Sequence, residues 1–140
     1  MVAGVCPGDV FAAVTDVERF PSLCDDVREV HVAVVDGVRQ SKWRVKFRGG
    51  ILEWTERDAP DYDACTMSFR QVEGDFKEFD GEWRVQPSGS GSTVDFTVRF
   101  DLGIPALRTV LEPLAAKSLR TNLSAVLRGL FGPGIELEGA

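Results

Sequence analysis

Apolar and polar residues alternate along most of the chain between residues 27 and 100. A period of two places successive side chains on opposite faces of a β-strand, so each alternating run predicts a strand with one buried face. The run 94–100 is the clearest, because valine and phenylalanine occupy every second position. Turn signals such as Asp36-Gly37 separate the runs, and the segment 87–92 is predicted to be a flexible connecting loop. The pattern predicts six strands, within 27–34, 43–47, 51–58, 65–73, 76–85 and 94–100.

The N-terminal segment predicts one further strand and two short helices. Residues 1–5 form the strand. Apolar residues at helical spacing then predict a helix at 9–15. A second short helix at 16–20 begins with Asp16 as its cap and ends before Pro21, because a residue that precedes proline disfavours the helical conformation.

One long helix is predicted near the C-terminal end. Apolar residues recur at helical spacing over 107–130, and Gly129 or Gly132 marks the end of the helix. Pro113 lies inside this pattern, where it removes a backbone donor and crowds the preceding turn. We therefore expect a kink or a break near Leu111.

Composition and charge narrow the range of functions. The 140 residues suit one domain, 1–140, which is long enough to bury its own core. A net charge of −6 disfavours nucleic acid and anionic membrane surfaces as partners, since both require a basic face. No apolar run is long enough to span a bilayer, and the first residues lack the features of a signal peptide.

The cysteines and the histidine do not form a recognisable metal site. Cys6, Cys24 and Cys65 have no metal-ligand spacing, and free thiols in a reducing cytoplasm are the expected state. His31 is the one histidine, and it alternates with inward-phase valines, so we expect it on the outer face of its strand. We therefore predict no metal and no cofactor, and a cytoplasmic protein.

Several short motifs occur in a consistent order along the chain. They are Pro7 before Val10-Phe11, the segment Asp16 to Pro21, Glu53-Trp54, Val72-Glu73-Gly74 with Phe76, Glu82-Trp83, and Phe100-Asp101. In order and spacing they resemble the START-like helix-grip superfamily, and within it the polyketide aromatase/cyclase branch. The resemblance covers nearly the whole chain. It implies an α+β helix-grip fold, in which a seven-stranded curved antiparallel sheet surrounds a long C-terminal helix, with two short helices after the first strand.

The resemblance also implies a function. Members of this branch bind a hydrophobic polyketide in a cavity between sheet and helix and promote aldol cyclisation and dehydration, and an acyl carrier protein is a candidate partner. The alternative is binding or transport of a lipid, quinone or aromatic metabolite without chemistry. A docking module with a large exposed apolar patch is a weaker third interpretation.

Two positions depart from the family pattern. A pocket tyrosine of the family falls here on Val27, and a pocket arginine falls on Asp58, with Arg57 one residue early. An offset of one residue in a strand points the side chain to the opposite face, and a β-bulge would be needed to return Arg57 to the cavity. These departures favour the carrier interpretation.

Three residues are the candidates for catalysis. Glu56 shares a face with Trp54, and a partly desolvated carboxylate there would act as a general base toward an acidic C–H between carbonyls. Gln71 is in phase with the inward residues of its strand and would orient a ligand carbonyl, unless it is a satisfied polar group at the rim of the sheet. Arg57 completes the set if a bulge turns it inward. The alternative for both carboxylates is a solvated position at the strand end; it is favoured for Asp58 and left open for Glu56.

The predicted cavity wall is rich in large rings. A cavity of this kind suits a planar or lipid-like ligand, although any single ring is more often ordinary core. The predicted ligand-binding residues are Trp43, Trp54, Asp58, Met67, Phe69, Trp83, Phe96, Phe100, Leu111, Ser118 and Asn122. The outer face of the sheet is basic, which indicates either a solvated surface or a docking site for an acidic carrier protein; its residues are Lys42, Arg44, Lys46, Arg84 and Arg99.

Overall fold

A computed structural model describes residues 4–103 and 108–132, with side chains from residue 113 onward in the second range. Two short helices and one 3-10 turn precede the sheet, and a long helix follows it. In chain order the elements are α1 Pro7–Thr15, the turn Val17–Arg19, α2 Phe20–Leu23, β1 Val27–Val35, β2 Val38–Phe47, β3 Gly50–Asp61, β4 Thr66–Gly74, β5 Glu78–Ser88, β6 Gly91–Asp101 and α3 Arg108–Phe131. None of the helices in these ranges has the length and apolarity needed to cross a membrane.

The strands form one antiparallel sheet in which each pairs with its neighbours in sequence, from β1 to β6. This confirms the predicted α+β helix-grip architecture, but the predicted number of seven strands is wrong, since the described residues contain six. The seventh strand was expected at 1–5. Residues 1–3 lie outside the described range, and Gly4 and Val5 are not in a strand. Instead, the Val5 carbonyl accepts a hydrogen bond of 2.7 Å from the buried Ser92 hydroxyl.

The core lies between the inner face of the sheet and the helices. α1 contributes Val10, Phe11 and Val14, which share one helical face and are almost fully buried. On β5 the alternation of the sequence is realised, because Phe79 and Trp83 are buried. Gly81 lies between them, and a methyl group there would overlap the backbone of Thr97 on β6 and the ring of Phe69 on β4. The missing side chain is what lets the three strands pack this closely.

The prolines do not end helices where the sequence predicts. Pro21 lies in the first turn of α2, where a missing N–H costs no helical hydrogen bond, so the chain remains helical past it. Asp16 makes no side-chain capping bond. α3 runs unbroken through Pro113, so the predicted break is absent. Pro113 falls only in the second turn after Arg108, near the helix start, where few backbone bonds precede it.

Two hairpins refine the strand predictions. The Asp36-Gly37 turn joins β1 and β2 as expected, with both residues at positive φ (52° and 78°). β1 continues beyond the core, however, so Val34 is exposed although it is in phase with buried Val30. The segment predicted as a flexible loop is mostly strand, because Pro87 pairs with Ser92 and only the two residues between Ser88 and Gly91 form the turn.

Candidate functional site

A cavity of about 80 Å³ lies between the inner face of the sheet and α3. Its wall is almost entirely apolar, and Glu56 of β3 and Asn122 of α3 are the polar exceptions among its described lining residues. The wall consists of Val17, Phe20, Val27, Trp43, Val45, Trp54, Glu56, Met67, Phe69, Phe79, Trp83, Phe96, Leu119, Asn122, Leu123 and Val126. This is the concave, mostly apolar kind of site that small hydrophobic molecules occupy.

Two stacked tryptophan rings are part of the wall. Trp43 on β2 lies directly opposite Trp54 on β3, and their rings are parallel to within 4° with centroids 5.7 Å apart. The Phe20 ring of α2 is inclined by 71° to the rings of Trp43 and Trp83, with ring centroids 5.7 Å and 6.4 Å apart. Because cross-strand pairing fixes both tryptophans, the cavity presents a rigid apolar surface suited to a planar molecule.

Glu56 is the ionisable residue of this wall. It is 4% exposed, and its Oε1 accepts a hydrogen bond of 2.9 Å from Trp54 Nε1. Burial raises the pKa of Glu56, and the adjacent Asp58 raises it further, through hydrogen bonding and through its charge. The bond from Trp54 and the charge of Arg39 act in the opposite direction but do not prevail, so the pKa of Glu56 lies well above the usual value of a glutamate.

Asp58 is buried on the inner face of the sheet instead of being solvated at the strand end. It is 3% exposed and is not among the lining residues. Its Oδ2 accepts a hydrogen bond of 2.7 Å from Ser41 Oγ and lies 3.4 Å from Arg39 Nε. Ser41 Oγ in turn accepts a bond of 2.9 Å from Trp43 Nε1. The expected solvated position is therefore wrong, because β3 runs beyond Asp58 and β2 pairs with it there.

Arg39 fixes this network to the first helix. Its Nη2 donates a hydrogen bond of 2.6 Å to the carbonyl oxygen of Thr15, at the C-terminal end of α1. Carbonyls at a helix end have no intrahelical partner, so a guanidinium stabilises them. The guanidinium of Arg39 thus contacts β3 through Nε and α1 through Nη2.

Arg57 does not face the cavity. It is exposed on the outer face of the sheet, as regular alternation from buried Glu56 requires. A β-bulge is present, but it lies on β4: Thr55 pairs with Glu73 and Glu56 with Gln71, which leaves Val72 as the extra residue. β3 therefore keeps its regular phase, and the inward turn that the candidate role of Arg57 needs does not occur.

Gln71 faces inward, but its amide is occupied. Its Nε2 donates a hydrogen bond of 2.7 Å to the Phe76 carbonyl, and its Oε1 accepts one of 3.2 Å from the Phe76 N–H. The side chain thus replaces a backbone partner in the connection between β4 and β5. This is the satisfied polar group at the rim, and its amide is not directed at a ligand.

The other predicted ligand-binding residues divide into three groups. Those that line the cavity are Trp43, Trp54, Met67, Phe69, Trp83, Phe96 and Asn122. Phe100 and Ser118 do not line it, and Phe100 instead meets the edge of the Phe76 ring at 6.2 Å. The side chain of Leu111 lies outside the described residues. Asn122 Oδ1 accepts a hydrogen bond of 3.5 Å from the Cys24 thiol, which connects α3 to the end of α2.

Sequence reasoning missed Ser41 and Arg39. Both occupy alternate positions before Trp43 on β2, so the alternation that placed Trp43 inward also places them on the inner face. A polar and a charged residue at inward positions were the signal that an internal partner exists. Asp58, at the register position opposite Arg39, is that partner.

The outer face of the sheet is an ion-paired surface. Arg44 lies 2.8 Å from Glu53, Arg84 lies 3.0 Å from Glu82, and Arg99 lies 3.1 Å from Asp80, counting from guanidinium nitrogen to carboxylate oxygen. His31 is exposed on the same face, 3.7 Å from Glu29. Within the residues described, no His, Cys, Asp and Glu side chains are grouped as a metal site.

Comparison with protein families gives one match. The family described as polyketide cyclase/dehydrase and lipid transport matches residues 4–127. A comparison with curated protein sequences found no match.

Solved structures with the same fold include proteins of varied description. The protein TTHA0849 from Thermus thermophilus is 27% identical, with a TM-score of 0.80 and coverage of 91% of this chain and 88% of that chain. The ZhuI aromatase/cyclase from Streptomyces sp. R1128 is 20% identical, with a TM-score of 0.64 and coverage of 94% and 93%. A START superfamily protein from Mycobacterium smegmatis is 20% identical, with a TM-score of 0.70 and coverage of 92% and 91%. The last two likenesses concern the fold alone.

Proposed function

Because the chain belongs to the polyketide cyclase/dehydrase and lipid transport family, we propose that it binds a poly-β-keto chain in the internal cavity and promotes its aldol cyclisation and dehydration. The observation that carries this proposal is Glu56, a buried carboxyl group set into an aromatic wall. A carrier of inert ligands has no need of a titratable group there, since burying one costs free energy.

The reaction needs confinement and proton transfer. The rigid wall of Trp43 and Trp54 limits which carbons of a folded chain meet, which raises their effective concentration. A carbon between two carbonyls then loses a proton to Glu56 and forms a bond to a second carbonyl carbon. The oxygen of that carbonyl takes up a proton, and loss of water completes the ring. Each step uses only a general acid–base group, so no cofactor is required.

The environment of Glu56 suits this role. Because its pKa is raised, Glu56 is a stronger base when ionised than an exposed glutamate, and it retains its proton to a higher pH. The Trp54 N–H holds one carboxyl oxygen, which fixes the orientation of the other. The Glu56 carboxyl group thus has both a fixed orientation and a raised pKa.

The test is conversion of a poly-β-ketone presented on an acyl carrier protein, followed by separation and mass analysis of the products. We expect one cyclised product to be enriched with the protein present, and Glu56→Gln to lower the rate by roughly 10²–10⁴-fold. Glu53→Gln is the matched control, since Glu53 is an exposed glutamate on the same strand. An identical product distribution with and without protein would remove the proposal.

A carrier function is the second candidate, and two observations favour it. Glu56 is the one ionisable side chain among the described lining residues, and Arg57 faces away from the cavity. Val27, where the family places a tyrosine, is an apolar part of the wall. Native mass spectrometry of the purified protein separates the two functions, because a lipid, quinone or aromatic metabolite that co-purifies and is released unchanged supports carriage.

Docking of an acyl carrier protein and a cytoplasmic location remain predictions. The arginines of the outer face are already paired with carboxylates, so Lys42 and Lys46 are the better candidates for contact with an acidic partner. Binding of this kind weakens as salt is added, because screening acts on exposed charges. Titration with a carrier protein at two ionic strengths measures it.

A further inference from the structure

Glu56 and Asp58 form a pair of buried carboxyl groups on one face of β3. They are two residues apart, so both project inward, and they are 4% and 3% exposed. Glu56 lines the cavity, whereas Asp58 is buried outside the cavity lining. Two ionised carboxylates in such a position repel one another, and neither is compensated by water.

The hydrogen bonds of the pair leave one acceptor unmatched. Asp58 Oδ2 accepts the hydrogen bond from Ser41 and forms an ion pair with Arg39, but Asp58 Oδ1 is buried and has no hydrogen-bond partner. A buried carboxylate oxygen without a donor is costly. With both groups ionised, neither can serve as donor to the other. A proton on Glu56 supplies the missing donor, and the hydrogen bond between the two side chains is one of the causes that raise the pKa of Glu56.

The charges around the pair favour the state in which Glu56 and Asp58 together carry one proton. Arg39 is the positive group in contact with Asp58, so a single negative charge on the pair is neutralised and a second is not. Within the described wall, β4 and α3 contribute no titratable side chain to the cavity. The buried Cys24 thiol at the end of α2 is engaged with Asn122.

We propose that Glu56 and Asp58 hold a single proton between them, and that Asp58 acts as a positioning residue that relays this proton whenever Glu56 exchanges one with the ligand. Proton sharing concerns the protein alone. The relay rests on the proposed function, because it needs a ligand with an acidic C–H.

The relay balances in protons. As Glu56 takes the proton from the carbon between two carbonyls, its own proton passes to Asp58 Oδ1, and the ligand becomes an enolate. After the carbon–carbon bond has formed, Glu56 gives a proton to the new alkoxide oxygen and recovers one from Asp58. The pair begins and ends with one proton. It thereby serves as base and acid in turn without leaving a second negative charge in the core.

The test is nuclear magnetic resonance of protein labelled with ¹³C at its aspartate and glutamate carboxyl carbons. In the unsubstituted protein we expect the Glu56 carboxyl to titrate in a step well above the usual range of a glutamate, and the Asp58 signal to change in the same step, as it must in a pair that shares one proton. Glu56→Gln should abolish the step in both signals and so assign it. Glu53→Gln should leave it unchanged.

Two charge-removing variants predict shifts of opposite sign. Asp58→Asn removes the neighbouring negative charge and offers an amide donor, so the step should move to lower pH. Arg39→Gln removes the positive charge, so the step should move to higher pH. A Glu56 step within the usual range of a glutamate in the unsubstituted protein, or an upward shift in Asp58→Asn, would overturn the proposal. The first of these results is measured on the unsubstituted protein, so it does not depend on whether a variant folds. If the step is present but no polyketide is converted, the proposed function fails and the shared proton stands.

Discussion

Removing the titratable proton of Glu56 should flatten the pH dependence of folding. In the folded protein, burial and Asp58 raise the pKa of Glu56, whereas in the unfolded chain it is about 4.3. Between these two pH values the folded state binds more protons than the unfolded state. The free energy of unfolding therefore falls as pH rises, by up to about 1.4 kcal/mol per pH unit. The contribution of Glu56 is complete below the unfolded pKa and is lost as pH rises through the folded one.

Glu56→Gln isolates this contribution because it preserves the shape of the side chain. The amide oxygen can still accept the 2.9 Å bond from Trp54 Nε1, and the amide nitrogen can donate to the unmatched Asp58 Oδ1. The variant should therefore fold. Its stability relative to the unsubstituted protein should grow with pH by up to about 1.4 kcal/mol per unit through the window and then level off.

Urea denaturation at a series of pH values measures both proteins on one scale. Glu53→Gln is the control, because Glu53 is exposed and paired with Arg44 on the outer face, so its stability difference should stay constant across the same range. Parallel stability curves for the unsubstituted protein and Glu56→Gln would refute the reasoning. A stability difference that shrinks as pH rises would mean that folding lowers the pKa of Glu56 instead of raising it.

Three further substitutions test the packing of the sheet, each by urea denaturation. Phe69→Ala should destabilise by about 3–5 kcal/mol, since the ring is 5% exposed and packs between two other rings of the inner face. Gly81→Ala should destabilise by at least about 1–3 kcal/mol. The added methyl group overlaps the Thr97 carbonyl on the neighbouring strand, and no side-chain rotation can relieve that overlap. Arg44→Gln should change stability by only about 0.2–1 kcal/mol, as the Arg44 and Glu53 side chains of its ion pair are 41% and 53% exposed.

Periodicity predicted half of the described residues that line the cavity. Trp54, Met67 and Trp83 were identified as inward residues because strand alternation is a local property, and burial of one face enforces it along the whole strand. The long C-terminal helix followed from its own spacing in the same way, although its course through Pro113 did not. The alternation does not show at which residue of each strand the buried core ends.

The candidate acid–base site depended on that missing information. Asp58 was expected to be solvated, yet β2 extends alongside it and brings Arg39 and Ser41 to its carboxylate. These are contacts between β2 and β3, and their register depends on the geometry of the hairpin that joins the two strands, which the alternation of residues does not fix. Gln71 was placed on the correct face, but its bond to a turn backbone is not visible in a periodicity.

The size of the cavity implies that a ligand must displace part of the wall. Pockets for drug-sized molecules hold roughly 300–1,000 Å³, and the present cavity of about 80 Å³ is well below that range. The sheet strands are held by paired backbones, whereas α3 meets α2 through side chains. The contact is close, since a methyl group on Gly129 would come within 2.9 Å of Leu23 Cδ2. We expect the cavity to enlarge by separation of α3 from α2.

A disulfide across this contact should therefore block binding. Cys24 Sγ lies 3.5 Å from Asn122 Oδ1, so Asn122→Cys places two thiols close together, and their oxidation would tie α3 to α2. If binding needs the open state, its apparent affinity falls in proportion to the population of that state. For the neutral fluorescent probe N-phenyl-naphthylamine we expect the oxidised variant to bind at least about tenfold more weakly than the same protein after reduction, a difference of about 1.4 kcal/mol. Adding Cys24→Ser to the variant removes the cross-link and controls for oxidation elsewhere. Equal affinity in the oxidised and reduced forms would show instead that ligands enter by side-chain rearrangement within a fixed helix pair.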